Sequence, residues 1–352
     1  MNFDLNSLVR ENIKKLKPYS SARSEFSGVA KVFLDANENS YGSPLTKWYN
    51  RYPDPHQWKV KEAIARIKGI DPRHLFLGNG SDECIDLLYR AFCVPGKDNV
   101  IINPPTYGMY EVSAHINDIE VRQAVLLDDF QLDLVHLENL VDEHTKMIWI
   151  CSPNNPTANS MNRQDVETIL NNFPGLVVID EAYINFSRHR SFIQELSDYP
   201  NLVVLQTFSK AWGLAGLRLG MAFASEAIIE IYDKVKPPYN IGQATQELVL
   251  KALAEVGQVN DMIRTLVQLR DELSEALTSL PVVLKVYPSD ANFLLVKTTD
   301  AHGIYEYLLD AGIVVRDRSK VRLCESCLRI TVGTKAENAE LLRALKAWSG
   351  SK

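Results

Sequence analysis

The chain has 352 residues, 46% of them hydrophobic, enough to bury one large core or two unequal ones. Its 38 Lys and Arg against 44 Asp and Glu leave a net charge of -6 with no basic block, which argues against nucleic acid as a partner. The opening "MNFDLNSLVRENIKKLKPYS" lacks the apolar stretch of a signal peptide, no later run reaches membrane-spanning length, and five cysteines, an odd number, fit a reducing compartment. A cytoplasmic protein without a membrane partner is expected.

The first forty or so residues are too short to fold alone and are expected to pack on the C-terminal part or on a partner subunit. From about residue 57, amphipathic segments such as "WKVKEAIARIKG" alternate with the apolar runs "HLFLG", "NVIIN", "KMIWICS", "GLVVID", "NLVVLQ" and "LGMAFA". That alternation predicts an α/β sheet with helices on both faces. After "KPPYN" (Lys236 to Asn240), a helical stretch from about Gly242 to Leu280 leads into the strands "VVLKVYP", "NFLLVK" and "LRITVG", broken by the helix "GIYEYLLDAG". This is a smaller α+β domain. The predicted division is residues 45–245 for the large domain, with 1–44 and 246–352 together forming the small domain and an N-terminal arm. The pair Cys324 and Cys327 has no second pair or histidine cluster beside it, so free thiols are expected and no metal site.

In open α/β sheets, ligands bind at the carboxyl ends of the strands. Here those ends carry Asn79-Gly80-Ser81-Asp82-Glu83, Pro104-Pro105-Thr106-Tyr107, Pro153-Asn154-Asn155-Pro156-Thr157, Asp180-Glu181-Ala182-Tyr183 and Thr207-Phe208-Ser209-Lys210. Such side chains suit a small, planar, anionic ligand. "GNGSDE" reads as a phosphate seat, with Ser81 capping the following helix, or as an ordinary turn and N-cap. It is not a Walker loop, because the Lys-Ser or Lys-Thr ending is missing.

Asp180 ends a strand apolar enough to be covered on both faces, so its carboxylate needs a cation or a donor. At an effective dielectric of about 20 and a separation of about 4 Å, it would stabilise a ring-nitrogen cation by roughly 4 kcal/mol, or about three pKa units. Capping the next helix or pairing with Arg218 would also explain it. Lys210 lies in an apolar stretch with Ala211, Trp212, Leu214, Ala215 and Leu217, unlike a surface lysine. An amine that loses its proton there can form an imine with an aldehyde. Ser209 and Arg218 form a second phosphate-type pair in the same segment.

With these residues in view, the chain resembles the fold type I pyridoxal phosphate enzymes, and among them the aminotransferases of the histidinol-phosphate branch. The likeness covers nearly the whole chain and rests on "TFSKAWGLAGLRLG", "DEAY", "SPNNPT", "GNGSDE", and "LDANENSYG" with "RYPDP". It implies a mostly parallel seven-stranded sheet between helices, a smaller α+β domain, and pyridoxal 5'-phosphate as cofactor. Lys210 becomes the Schiff-base lysine and Asp180 the partner of the pyridine nitrogen. Asn155 and Tyr183 would bond the cofactor's 3-hydroxyl oxygen and Tyr107 would stack on its ring. Ser81, Asp82, Ser209 and Arg218 belong near its phosphate, joined by Tyr52 of a neighbouring subunit, which implies a homodimer. Two departures stand beside these motifs: Ala158 where the family usually has glycine, and Ser40 where it has proline.

The resemblance further implies a ping-pong transfer from histidinol phosphate to 2-oxoglutarate, with Lys210 as the base. Arg316 and Arg329 would hold the carboxylates and the phosphate, with Tyr19 of the "PYSSAR" segment and Asn37 at the substrate. Arg329 lies inside an apolar strand, where an unpaired charge is costly. Arg318 and Arg322 read as solvated salt-bridging residues. A phosphothreonine decarboxylase or an aromatic aminotransferase would share most of this constellation. A non-catalytic pyridoxal-binding regulator would need a DNA-binding module, for which the segment before residue 45 is too small.

Overall fold

A computed structural model describes residues 3–19, 31–45 and 49–348, and two β-sheets organise them. The larger has seven strands, β1 (Leu75–Asn79), β2 (Asn99–Ile102), β3 (Glu120–Gln123), β4 (Thr145–Cys151), β5 (Leu176–Asp180), β6 (Leu202–Thr207) and β7 (Leu219–Ala224), in the spatial order β1-β7-β6-β5-β4-β2-β3. β3, β2, β4, β5 and β6 run parallel to one another, and β7 is antiparallel to both its neighbours. The apolar runs become strands because successive residues face opposite sides of the pleat and both sides are covered. Val177 and Ile179 of β5 enter one core, with residues of the helices Trp58–Lys68 and Arg163–Asn172; Leu176 and Val178 enter the other, with those of Gly80–Phe92 and Glu226–Val235.

β3 was not expected from its sequence. It is an edge strand and carries Glu120, Arg122 and Gln123, charged or polar residues that keep an open edge soluble and erase the apolar signal. The stretch from Gly242 to Leu280 is two helices, Gln243–Ala254 and Val256–Thr278, because Glu255 leaves helical geometry at ψ 26°. The N-terminal arm departs from expectation as well. Val9 and Ile13 are buried in the core of the larger sheet, Arg10 N–H donates to the Ala91 carbonyl at 3.1 Å and Lys234 Nζ to the Lys14 carbonyl at 2.9 Å. These helical turns pack on the large sheet's helices, where two apolar side chains find cover, rather than on the C-terminal part.

The second sheet is antiparallel, in the order β10-β11-β9-β8, from β8 (Val283–Val286), β9 (Phe293–Thr298), β10 (Arg316–Asp317) and β11 (Cys327–Thr331). The helices Ala301–Asp310 and Lys335–Ala347 cover one face through Ile304, Leu308, Leu341 and Leu345. Phe293 and Leu295 on the opposite face join a core of the large sheet, so the two sheets are packed together. No helix among the described residues is long and apolar enough to cross a membrane.

One close approach decides how the site is framed. A β-carbon on Gly220 of β7 would lie 2.2 Å from the Gly80 carbonyl carbon and the Ser81 nitrogen, and Gly80 has φ +69° with Arg218 Nη2 2.5 Å from the place of its own β-carbon. Gly220 has no room for a side chain, and at Gly80 the left-handed backbone strains any other residue. Gly220→Ala is expected to cost about 1–3 kcal/mol of unfolding free energy by overpacking. Denaturant unfolding at the wild-type midpoint would show that the backbones do not meet there.

Candidate active site

The carboxyl ends of the parallel strands open into a cavity of about 670 Å³, closed on its far side by the second sheet. Ser81, Asp82, Tyr107, Asn155, Asp180, Tyr183, Ser209, Lys210, Arg218, Arg316 and Arg329 all line it. The sequence also assigned Tyr19, Asn37 and Tyr52 to the site, and the single chain does not bring them there. Tyr19 is 76% exposed. Asn37 and Tyr52 border a separate hollow of about 410 Å³, where Tyr52 stacks on Tyr239 with ring centroids 4.5 Å apart. Of "PYSSAR", Ser20 to Arg23 lie outside the described residues.

Asp180 ends β5 at 3% exposure on the cavity floor. Its Oδ2 accepts from Tyr110 Oη at 2.6 Å and its Oδ1 from the Ala182 N–H at 3.0 Å. Burial pushes its carboxyl above the usual carboxylate range, and these two donors offset the rise only in part. It makes no bond to Arg218, whose partners are Asp82, Ser209 and the Ala215 carbonyl, each at 3.4 Å. Lys210 stands on the loop joining β6 to the reversed strand β7, with Nζ 5.7 Å from the centroid of the Tyr183 ring. Desolvation pulls its ammonium below the ordinary lysine range, and Arg329 and Arg218 act in the same sense against Asp180 and Asp82. The neutral amine, the form that attacks carbonyls and takes up protons, is thereby favoured.

At the other end of the floor, the helix Gly80–Phe92 begins beside Arg218. Ser81 does not cap it: Asn79 holds the cap position, Ser81 sits in the first turn, and Glu83 Oε2 accepts from the Asn79 N–H at 2.5 Å. The first-turn amides are left free to face an anion. Asp82 accepts from Tyr107 Oη at 3.2 Å and from Arg218 Nη2 at 3.4 Å, so it orients two groups that a phosphate and a ring can use.

Three groups at this site carried no usable signal in the sequence. Tyr110, fully buried and stacked on Trp149, reads as a core aromatic on a helix, yet it donates to Asp180. Thr106, on the cavity wall, donates to Asn154 Oδ1 at 2.9 Å and helps fix the loop that carries Asn155. Arg318, read as solvated, lines the cavity with its Nε buried and unpartnered. Its position directly after the two-residue strand Arg316–Asp317 brings it to the cavity despite its polar sequence context. Arg322 is exposed and lies away from this cavity.

Residues 29–345 match the family Aminotransferase class I and II, and the chain belongs to that family. Within it, the chain is 55% identical over 348 residues to the histidinol-phosphate aminotransferase of Cytophaga hutchinsonii, covering 99% of this chain and 100% of that one. It is 54% identical to the corresponding enzyme of Bacteroides thetaiotaomicron, over 98% of this chain and 99% of that one. The fold is shared with the histidinol-phosphate aminotransferase of Sinorhizobium meliloti solved in complex with pyridoxal-5'-phosphate, at a TM-score of 0.78 and 24% identity, covering 88% of each chain.

The Tyr110–Asp180 bond makes a pH-dependent prediction. With a folded pKa raised by burial, Asp180 favours folding while it holds its proton, and that contribution is lost as pH rises through the raised value. Tyr110→Phe removes a donor to the ionised form and raises the pKa further. The variant is expected to lose about 1–2 kcal/mol at neutral pH, less in acid, where folded and unfolded carboxyls are both protonated. A loss that does not change between pH 4 and pH 8 in thermal unfolding of the cofactor-free protein would sever the bond from Asp180 ionisation.

Proposed function

We propose that the chain transfers the amino group of L-histidinol phosphate to 2-oxoglutarate, giving imidazole acetol phosphate and L-glutamate in histidine biosynthesis, with pyridoxal 5'-phosphate as its cofactor. The observation that carries the reading is that one cavity is lined by both the buried Asp180 carboxylate and the Lys210 amine, in a chain 55% identical to such an enzyme over 99% of its length. The cavity fits the cofactor: a buried acid at the floor lacks a cation, and the opposite end is lined by Ser81, Ser209 and Arg218, groups that donate to a phosphate. When bound, that cofactor supplies an aldehyde for an amine and an electron-withdrawing pyridine ring.

Each side chain then has a task. Asp180 holds a proton at the ring nitrogen. Lys210 Nζ would hold the cofactor's aldehyde end and would serve as the base that takes the proton from the substrate's reacting carbon. Ser81, Ser209, Arg218 and the first-turn amides beside Asp82 hold the phosphate, Tyr107 covers the ring, and Asn155 with Tyr183 bonds the 3-hydroxyl oxygen. Arg316 and Arg329 bind the substrates' anionic groups, with Tyr19 and Asn37 completing the substrate pocket. Donor and acceptor would use the same arginines in turn, and the kinetics would be ping-pong because the cofactor would keep the amino group between the two halves.

Tyr52 completes the phosphate seat of a second copy in a homodimer. In favour are Val32, Leu34 and Tyr41 on the same arm, 70%, 84% and 100% exposed, an apolar strip suited to burial against another chain. A cytoplasmic location belongs to the same reading and rests on five unpaired cysteines.

Purified protein carrying the cofactor is expected to convert fully to the aminated form on addition of histidinol phosphate and to revert with 2-oxoglutarate. Lys210→Ala should abolish both changes and lower turnover by at least about 10³-fold. Carbon dioxide release from phosphothreonine, with no response to histidinol phosphate, would replace the reading with a decarboxylase. Sedimentation should give a dimer; a fully active monomer would remove Tyr52 from the site.

A further inference from the structure

The wall of the cavity opposite Asp180 is a two-strand lip. β10 pairs with β11 so that Arg316 lies opposite Arg329, and beyond the pair the Arg318 N–H donates to the Cys327 carbonyl at 2.9 Å. Strand alternation puts Arg316, Arg318 and Arg329 on one face, and all three line the cavity. Asp317 faces away: it accepts from the Ser319 N–H at 2.8 Å and lies 3.2 Å from His302 Nδ1. Among the described residues no ion pair joins any of the three guanidiniums to a carboxylate. Arg329 donates to Asn155 Oδ1 at 2.5 Å, while Arg318 Nε is buried without a partner. Three cations held together and left unneutralised are costly unless an anion joins them.

The chemistry of the two substrates proposed above separates the arginines. A dicarboxylate acceptor carries two planar groups, each satisfied by one guanidinium fork, so two arginines suffice for it. A phosphate monoester has three acceptor oxygens in a tetrahedral arrangement and a charge of about -1.5 to -2, and it can take donors from three guanidiniums at once. We propose that Arg318 is a specificity-determining residue that binds the phosphate of the amino donor and is dispensable for the dicarboxylate acceptor. The inference rests on the proposed reaction for the identity of the donor. In the lip, Arg316 and Arg329 serve both substrates and Arg318 serves one.

The two halves of a ping-pong reaction can be measured separately by the cofactor's absorbance. For Arg318→Gln, the apparent second-order rate constant with histidinol phosphate is expected to fall at least about tenfold, the loss of one charge-assisted bond, while that with 2-oxoglutarate stays within about twofold. Arg318→Lys should recover part of the loss. Inorganic phosphate, tested as an inhibitor of the cofactor-loaded enzyme against 2-oxoglutarate, should bind the glutamine variant at least about fivefold more weakly. Equal losses in the two halves, no loss in either, or unchanged phosphate inhibition would overturn the assignment. If the wild-type enzyme ignores histidinol phosphate, the functional reading fails instead, and phosphate inhibition still tests Arg318.

Discussion

The removal of water from one carboxylate organises this molecule. Asp180 closes a strand in the middle of the large sheet, covered above and below, and only Tyr110 and one backbone amide reach it. An acid so placed is raised, and what it still lacks is a positive charge from the cavity side. Lys210 is exposed at the cavity in the single chain, yet partial desolvation and the nearby Arg329 pull its ammonium below the ordinary lysine range. The cavity therefore raises the acid's pKa and lowers the lysine's, a pair of opposite shifts that neither residue would show in water.

Around that floor the two sheets divide the labour. The large sheet frames the Gly80–Ser81 end of the cavity through backbone contact, since β7 runs against that turn with no room for a side chain on Gly220. The second sheet provides the lip of arginines and is joined to the first through Phe293, whose ring meets Tyr183 edge-on at 5.1 Å and lies 5.4 Å beneath the Arg329 guanidinium. The aromatic ring thus couples a residue of the floor to one of the lip. Ala158 sits in the left-handed region at φ 70°, fully buried, and the loop that carries Asn155 keeps that turn without the usual glycine. The departure costs backbone strain of about 1–2 kcal/mol and leaves Asn155 on the cavity wall.

Much of this was legible in the sequence because the signals were strong where burial is complete. Six apolar runs became six strands of the large sheet, and the polar residues after them converged. β3 and β10 were invisible: one is an edge with charges, and the other is two residues long with an arginine and an aspartate. Tyr110 was hidden for the reverse reason, since a tyrosine among apolar helix residues signals packing and its hydroxyl acquires a role only when another strand ends beside it. Arg318 looked solvated because its neighbours in sequence are polar. Its neighbours in space come from β11 and the large sheet. Tyr19, Asn37 and Tyr52 were assigned by likeness to a family, and one chain alone does not gather them.

The separation of floor and lip bears on how such a protein can change over generations. The lysine, the buried acid and the phosphate seat hang from a scaffold in which a single methyl group on Gly220 would collide with backbone. The guanidiniums hang from two short strands whose outward face tolerates charge. On the reading proposed above, substitution at the first would undo the chemistry, whereas substitution at Arg318 would alter which anion is welcome. A lineage built on this plan could therefore exchange substrates by drift along β10 and β11 while its chemistry stayed the same.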